Sequence, residues 1–105
     1  TFIIKDSLDL KNTSITLAKN SSYYFDGGVI SNAKEIFLSE NTVLNGAKIN
    51  GFYAIVLNEN ALLESCDCNG LFNSRGVFVD GSGALIVNNH IYNVLKVKYE
   101  LLKID

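Results

Sequence analysis

Glu40 and Glu59 are the first residues to weigh for chemistry, because each stands one residue before an asparagine (Asn41, Asn60) in matching surroundings. Carboxylates one rung apart in a stacked β-structure lie on the order of 5 Å from each other. That is the spacing at which a retaining glycosidase sets its acid and its nucleophile. Lys19 and Gly81 flank the pair at the equivalent positions of neighbouring segments, and the position is a turn, so a solvated turn edge is the competing account. A second group is a mixed patch of Lys48, Asp67, Asn89 and His90, with Asp67 one column over from Lys48 and Asn89. His90 is the only imidazole and Arg75 the only guanidinium, which leaves little material for an acid–base centre. Cys66 and Cys68 are two apart in a strand and share a face. Cys68 aligns with Ile49 of the preceding segment, which marks that face as inward. Residues so placed make a poor disulfide, and a zinc site would find only His90 to add. The pair reads as buried, unpaired, small apolar residues, and free thiols suit a reducing compartment. The expectation is no catalytic residue, no cofactor and no metal set within this chain.

Positioning such residues requires a scaffold, and internal repetition reveals it. Four segments align: Ser14–Ser21, Glu35–Thr42, Ala54–Ala61 and Gly76–Gly83. Each carries two aliphatic residues two apart, Ile15/Leu17, Ile36/Leu38, Ile55/Leu57 and Val77/Val79, and in a strand such pairs share one face. Asn20, Asn41, Asn60 and then Ser82 follow three residues later, and Tyr23, Leu44, Leu63 and Leu85 six residues later. The first aliphatics step by 21, 19 and 22 residues, and Val97 falls 20 further on. A repeat of this length, made of short strands and polar turns without a leucine-rich consensus, predicts an all-β parallel β-helix solenoid of about four to five rungs. Ile15, Ile36, Ile55, Val77 and Val97 should form one inward column, and Leu17, Leu38, Leu57, Val79 and Tyr99 the next. The asparagine column reads either as a stacked amide ladder or as a series of left-handed corners.

Composition agrees. The 105 residues hold 13 Asn, 8 Gly and 9 Ser but no Pro, Met or Trp, and 48% are apolar against 19% charged, so a packed core is available to a single domain. A net charge of −2 excludes a basic nucleic-acid footprint. Apolar runs such as Tyr53–Leu57 and Ala84–Val87 are too short to span a bilayer. The organisation expected is an opening or capping strand over 1–13, four rungs over 14–94 and the start of a fifth over 95–105. Leu101–Asp105 shows no polar cap, and an uncapped solenoid leaves a pairing-prone edge. The expectation is that the chain continues or that another chain covers this end.

Residues between the inward aliphatics must point outward. Thr16, Phe37, Val56 and Phe78 therefore make an apolar strip on the outer surface, which a solvated β-face does not need. Cover by the chain's own segments, an oligomer interface and sugar stacking all remain open for it. Phe37, Val56, Phe78, Lys48, Asp67 and Asn89 are thus the residues assigned to a glycan or an interface. In Tyr23-Tyr24-Phe25, Tyr23 and Phe25 should point in and Tyr24 out.

The stretch Asp9-Leu10-Lys11-Asn12-Thr13-Ser14-Ile15-Thr16-Leu17 through Tyr24-Phe25-Asp26-Gly27-Gly28 resembles the opening rungs of right-handed parallel β-helix proteins of the pectate-lyase-like superfamily. Such segments are frequent in gut Bacteroidales and their phages. Gly70 and Asn88-Asn89-His90-Ile91-Tyr92-Asn93 resemble a generic rung of the same superfamily. Its members include polysaccharide lyases, glycoside hydrolases, phage tailspikes and adhesins, and fold does not choose among them. The paired-aspartate, Gly-His-Gly and Arg-x-Lys motifs of the polygalacturonase branch are missing, as is the calcium-binding acid cluster of the lyase branch. The resemblance therefore implies a structural, glycan-presenting segment of a phage tail spike or fibre, or of a similar surface protein. It would bind cell-surface polysaccharide as part of a homo-oligomer, a trimer, on a virion tail or a bacterial surface. The alternative is the N-terminal rungs of a polysaccharide lyase or glycoside hydrolase whose catalytic residues lie outside this segment.

Overall fold

A computed structural model describes residues 1–98. The strands are β1 (Phe2–Ile4), β2 (Leu8–Leu17), β3 (Ser22–Phe25), β4 (Val29–Leu38), β5 (Val43–Asn45) and β6 (Lys48–Leu57). They continue with β7 (Leu62–Glu64), β8 (Asp67–Ser74), β9 (Gly76–Val79), β10 (Leu85–Val87), β11 (His90–Val94) and β12 (Val97–Lys98). No helix occurs among the described residues, so none is long and apolar enough to cross a membrane. Every strand pair is parallel. The short strands stack in the order β1-β3-β5-β7-β10, and the long ones in the order β11-β8-β6-β4-β2, with β9 on β6 and β12 on β9. The result is a parallel β-solenoid of about 4 turns.

The inward columns follow from the repeat length. Ile15 pairs with Ile36, Ile36 with Ile55, Ile55 with Val77, and Val77 with Val97. Leu17, Leu38, Leu57 and Val79 form the second column in the same way; Tyr99, assigned to its end, lies outside the described residues. Ile36, Leu38, Ile55, Leu57, Val77 and Val79 are all buried. Like residues stack above like, so each aliphatic touches its counterparts on both neighbouring turns, and the core is one continuous column rather than separate layers. Tyr23 and Phe25 pack against this core while Tyr24 is exposed.

The asparagine column is a series of left-handed corners, with an amide-to-amide bond at one step, between Asn41 and Asn20. Asn20, Asn41 and Asn60 adopt φ of 58°, 56° and 57°, the left-handed region that asparagine tolerates better than most residues. Their backbone N–H groups donate to the Glu40, Glu59 and Ser82 carbonyls of the next turn. The Asn41 carboxamide also donates to Asn20 Oδ1 at 3.0 Å. The two contributions can be separated. Asn41→Gly should cost about 1 kcal/mol, the amide bond alone. Asn41→Ala should cost roughly 1–2 kcal/mol more, because alanine pays the left-handed penalty as well. Paired urea melts measure the difference; equal losses would remove the backbone role.

Two features differ from the sequence expectation. Leu85 does not stand above Leu63: Ile86 does, with Leu85 beside Leu62 and 48% exposed. The connection after Val79, through Asp80, Gly81, Ser82, Gly83 and Ala84, is one residue longer than the Asn58–Ala61 turn before it, and a one-residue slip turns the following strand over. The opening segment, expected as one opening or capping strand over 1–13, divides into two. β1 lies on β3 in the short-strand sheet, and β2 starts the long arm after a bend at Lys5–Ser7.

Candidate functional site

The outer strip lies where the repeat places it. Thr16, Phe37, Val56 and Phe78 are register partners on successive turns. Phe37, Val56 and Phe78 are half-buried because each shields the next. Arg75 adds a partial lid, its guanidinium carbon 4.5 Å from the Phe78 ring centre, within cation–π range. The strip is thus an apolar ridge on the outer surface, running over the C-terminal halves of β4 and β6 onto β9, with Arg75 beside it.

At the N-terminal ends of the long strands, Lys48, Asp67 and His90 are consecutive register partners on β6, β8 and β11. Asp67 is therefore in the same column as Lys48, not one over. Asn89, grouped with these residues from the sequence, sits one position earlier with its carboxamide already spent. Its Oδ1 accepts from the Cys66 N–H at 2.7 Å, and its Nδ2 donates to the Leu63 carbonyl at 2.8 Å. It pins the corner and offers no free amide plane to a ligand. Tyr92, which the sequence reading passed over, joins instead: its ring stacks on His90 with centroids 4.4 Å apart. The i, i+2 relation to His90 was the available signal. His90 Nδ1 stands 3.8 Å from Asp67 Oδ1, and the His90 side chain is 74% exposed. That oxygen is sealed from solvent and makes no hydrogen bond. Burial first, and then the Asp67 carboxylate, raise the Tyr92 phenol above its ordinary range.

Glu40 and Glu59 do line one cleft, of about 550 Å³, together with Lys19 and Asp80. Each has a partner from an adjoining turn: Lys19 Nζ is 3.6 Å from Glu40, and Ser82 Oγ donates to Glu59 at 3.5 Å. An exposed ion pair of this kind is worth little. The arrangement is a predominantly acidic, solvated turn edge with one cation, Lys19, and neither carboxylate is desolvated in the manner of a general acid.

Cys66 and Cys68 are both buried and unbonded to each other. Burial pushes the Cys66 thiol up to about 11 and raises Cys68 further. Such thiols are poor nucleophiles at neutral pH. Their folded-state values lie above the unfolded one, so the unfolded chain loses these protons first. Stability must then fall as pH rises from 9 toward 11. The Cys66→Ala, Cys68→Ala double variant should lose less stability than the parent over that interval, as read by thermal melting; identical pH profiles would contradict the burial argument.

No group of three or more metal-ligating side chains gathers among the described residues. No protein-family model, curated protein or solved structure matches the chain.

Proposed function

We propose that this chain is a rigid, glycan-presenting β-solenoid segment of an oligomeric surface protein, of the phage tail spike or fibre type or a bacterial counterpart. In this reading it is of the pectate-lyase-like kind, acts on a virion tail or cell surface, and assembles as a trimer. The single observation that supports it is the ridge of Phe37, Val56 and Phe78, three large apolar residues in register on an outer face. A ridge of that kind gains by being covered, and three copies packed along parallel solenoid axes would cover it. The Lys48, Asp67 and His90 column, a row of polar side chains with Lys48 and His90 exposed, supports the alternative, in which these rungs belong to a polysaccharide lyase or glycoside hydrolase with its catalytic residues elsewhere.

Light-scattering mass measurement tests the assembly. The parent chain is expected to be trimeric, and Phe37→Ser with Phe78→Ser should release folded monomer while leaving the circular dichroism spectrum of the strands unchanged. A parent chain that is a stable monomer at high concentration sinks the interface.

A further inference from the structure

We infer that the bend shared by β2, β4, β6 and β8 forms the seat of a neutral, hydroxyl-rich polymer lying along the solenoid axis; this rests on the glycan-binding reading above and gives it a location and a ligand class. A groove of about 220 Å³ runs there across four consecutive strands, with Asn12, Asn32, Gly51, Tyr53, Gly70 and Leu71 in its wall. It is separate from the apolar ridge, from the Lys48 column and from the acidic cleft.

The floor of the groove is backbone in close contact with its neighbours. Gly51 adopts φ +95°, and a Cβ there would stand 2.9 Å from Leu71 Cδ1. A Cβ on Gly70 would meet both the Asn93 carbonyl and the Ser74 Cβ at 2.5 Å. Both glycines are buried, and their missing side chains let Leu71, Ser74 and the Asn93 carbonyl pack directly against the backbone, so the groove has a closed, tightly packed floor. One wall is the Tyr53 ring, 50% exposed. Its backbone is held firmly, because the Tyr53 carbonyl accepts from both the Arg75 N–H at 2.7 Å and Ser74 Oγ at 3.0 Å. An exposed aromatic ring on a fixed backbone is a stacking platform whose ordering cost is already met.

The chemistry of the wall selects the ligand. None of its side chains is charged. Asn32 donates one amide hydrogen to Asp9 Oδ1 at 3.2 Å, which orients the carboxamide. Its other hydrogen and its carbonyl make no bond among the described residues, and neither does the Asn12 side chain, so both can donate and accept. Sugar hydroxyls need that combination, while the C–H face of a pyranose suits Tyr53 and Leu71. Turns recur at about 4.8 Å, comparable to the length of one sugar ring, so a repeating polymer can meet a repeating wall. A polyanion finds no cation among the side chains that line this groove.

Affinity gel electrophoresis of the full chain tests this, with dextran, mannan and xylan as neutral polymers and polygalacturonate as the acidic comparator. At least one neutral polymer should retard the chain to the same extent at low and high salt. Tyr53→Ala should weaken that retardation on the order of tenfold, Tyr53→Phe should retain it, and the melting temperature of both should match the parent. Retardation by polygalacturonate alone, or by a neutral polymer but undiminished in Tyr53→Ala, overturns the groove. If Lys48→Ala then abolishes retardation, glycan binding survives at another face. No retardation by any polymer overturns the groove and the glycan reading together.

Discussion

Truncating Ile55 to alanine is expected to remove about 2–5 kcal/mol of stability, the range for a large aliphatic deleted from a packed core. Ile55 is 0% exposed and pairs with Ile36 on one side and Val77 on the other. The substitution thus opens a void at the middle of the column, where neither neighbouring turn can move inward without losing its own strand pairing. A chain of this size has only about 5–15 kcal/mol in total, so cooperative unfolding should be largely abolished near room temperature. Urea titration followed by circular dichroism gives the answer. Thr16→Ala, on the exposed outer face, is the control and should change stability by no more than about 0.5 kcal/mol. A midpoint for Ile55→Ala as high as for the control would mean that the column does not carry the core.

Gly76→Ala should be nearly as damaging, through the backbone instead of the core. Gly76 adopts φ +127°, a region closed to residues with a side chain, and a methyl group there would land on the Lys96 carbonyl oxygen. That carbonyl accepts the Val77 N–H, so the clash falls on the bond that seats the last described strand on β9. Strain of roughly 1–3 kcal/mol is expected from φ alone, with the collision added to it. Gly27→Ala separates the two causes, since Gly27 has φ +90° but nothing within 4 Å of a new Cβ. Thermal melts should rank parent, Gly27→Ala and Gly76→Ala in descending stability. Equal losses at the two glycines would leave no part for the Lys96 contact.

The inward columns were legible in the sequence because a solenoid writes its geometry as repetition. Ile36 and Ile55 must be alike since each is the other's neighbour, and a spacing of 19 residues exposes this without any knowledge of the turns. Turn length was less legible. Counting six residues from Val79, as Leu63 follows Leu57, sets Leu85 level with Leu63, and the count ignores an added turn residue. A better marker was present: Thr42, Ala61 and Ala84, the small buried residues that close successive turns. Aligning those would have placed Ile86, not Leu85, over Leu63. Asn89 was misplaced for a related reason. The corner before β4, β6 and β8 holds Gly28, Ala47 and Cys66, all small, and Asn89 occupies the same position before β11 with its side chain folded back onto the chain. Polarity suggested the surface, whereas the unpaired Cys66 N–H and Leu63 carbonyl at the corner determined where the amide went. The groove at Tyr53 carried no sequence signal of its own, since it arises from a bend that four strands share and no single segment encodes.

The lengthened turn after Val79 shows how this architecture handles insertions. Val79 keeps Leu57 as its partner before the extra residue, and Ile91 keeps Cys68 after it. The disturbance is confined to one three-residue strand, where a different side chain is simply turned inward. Each turn on the asparagine edge is therefore a place where loops can lengthen and diversify independently, one tier at a time, while the tiers above and below remain aligned.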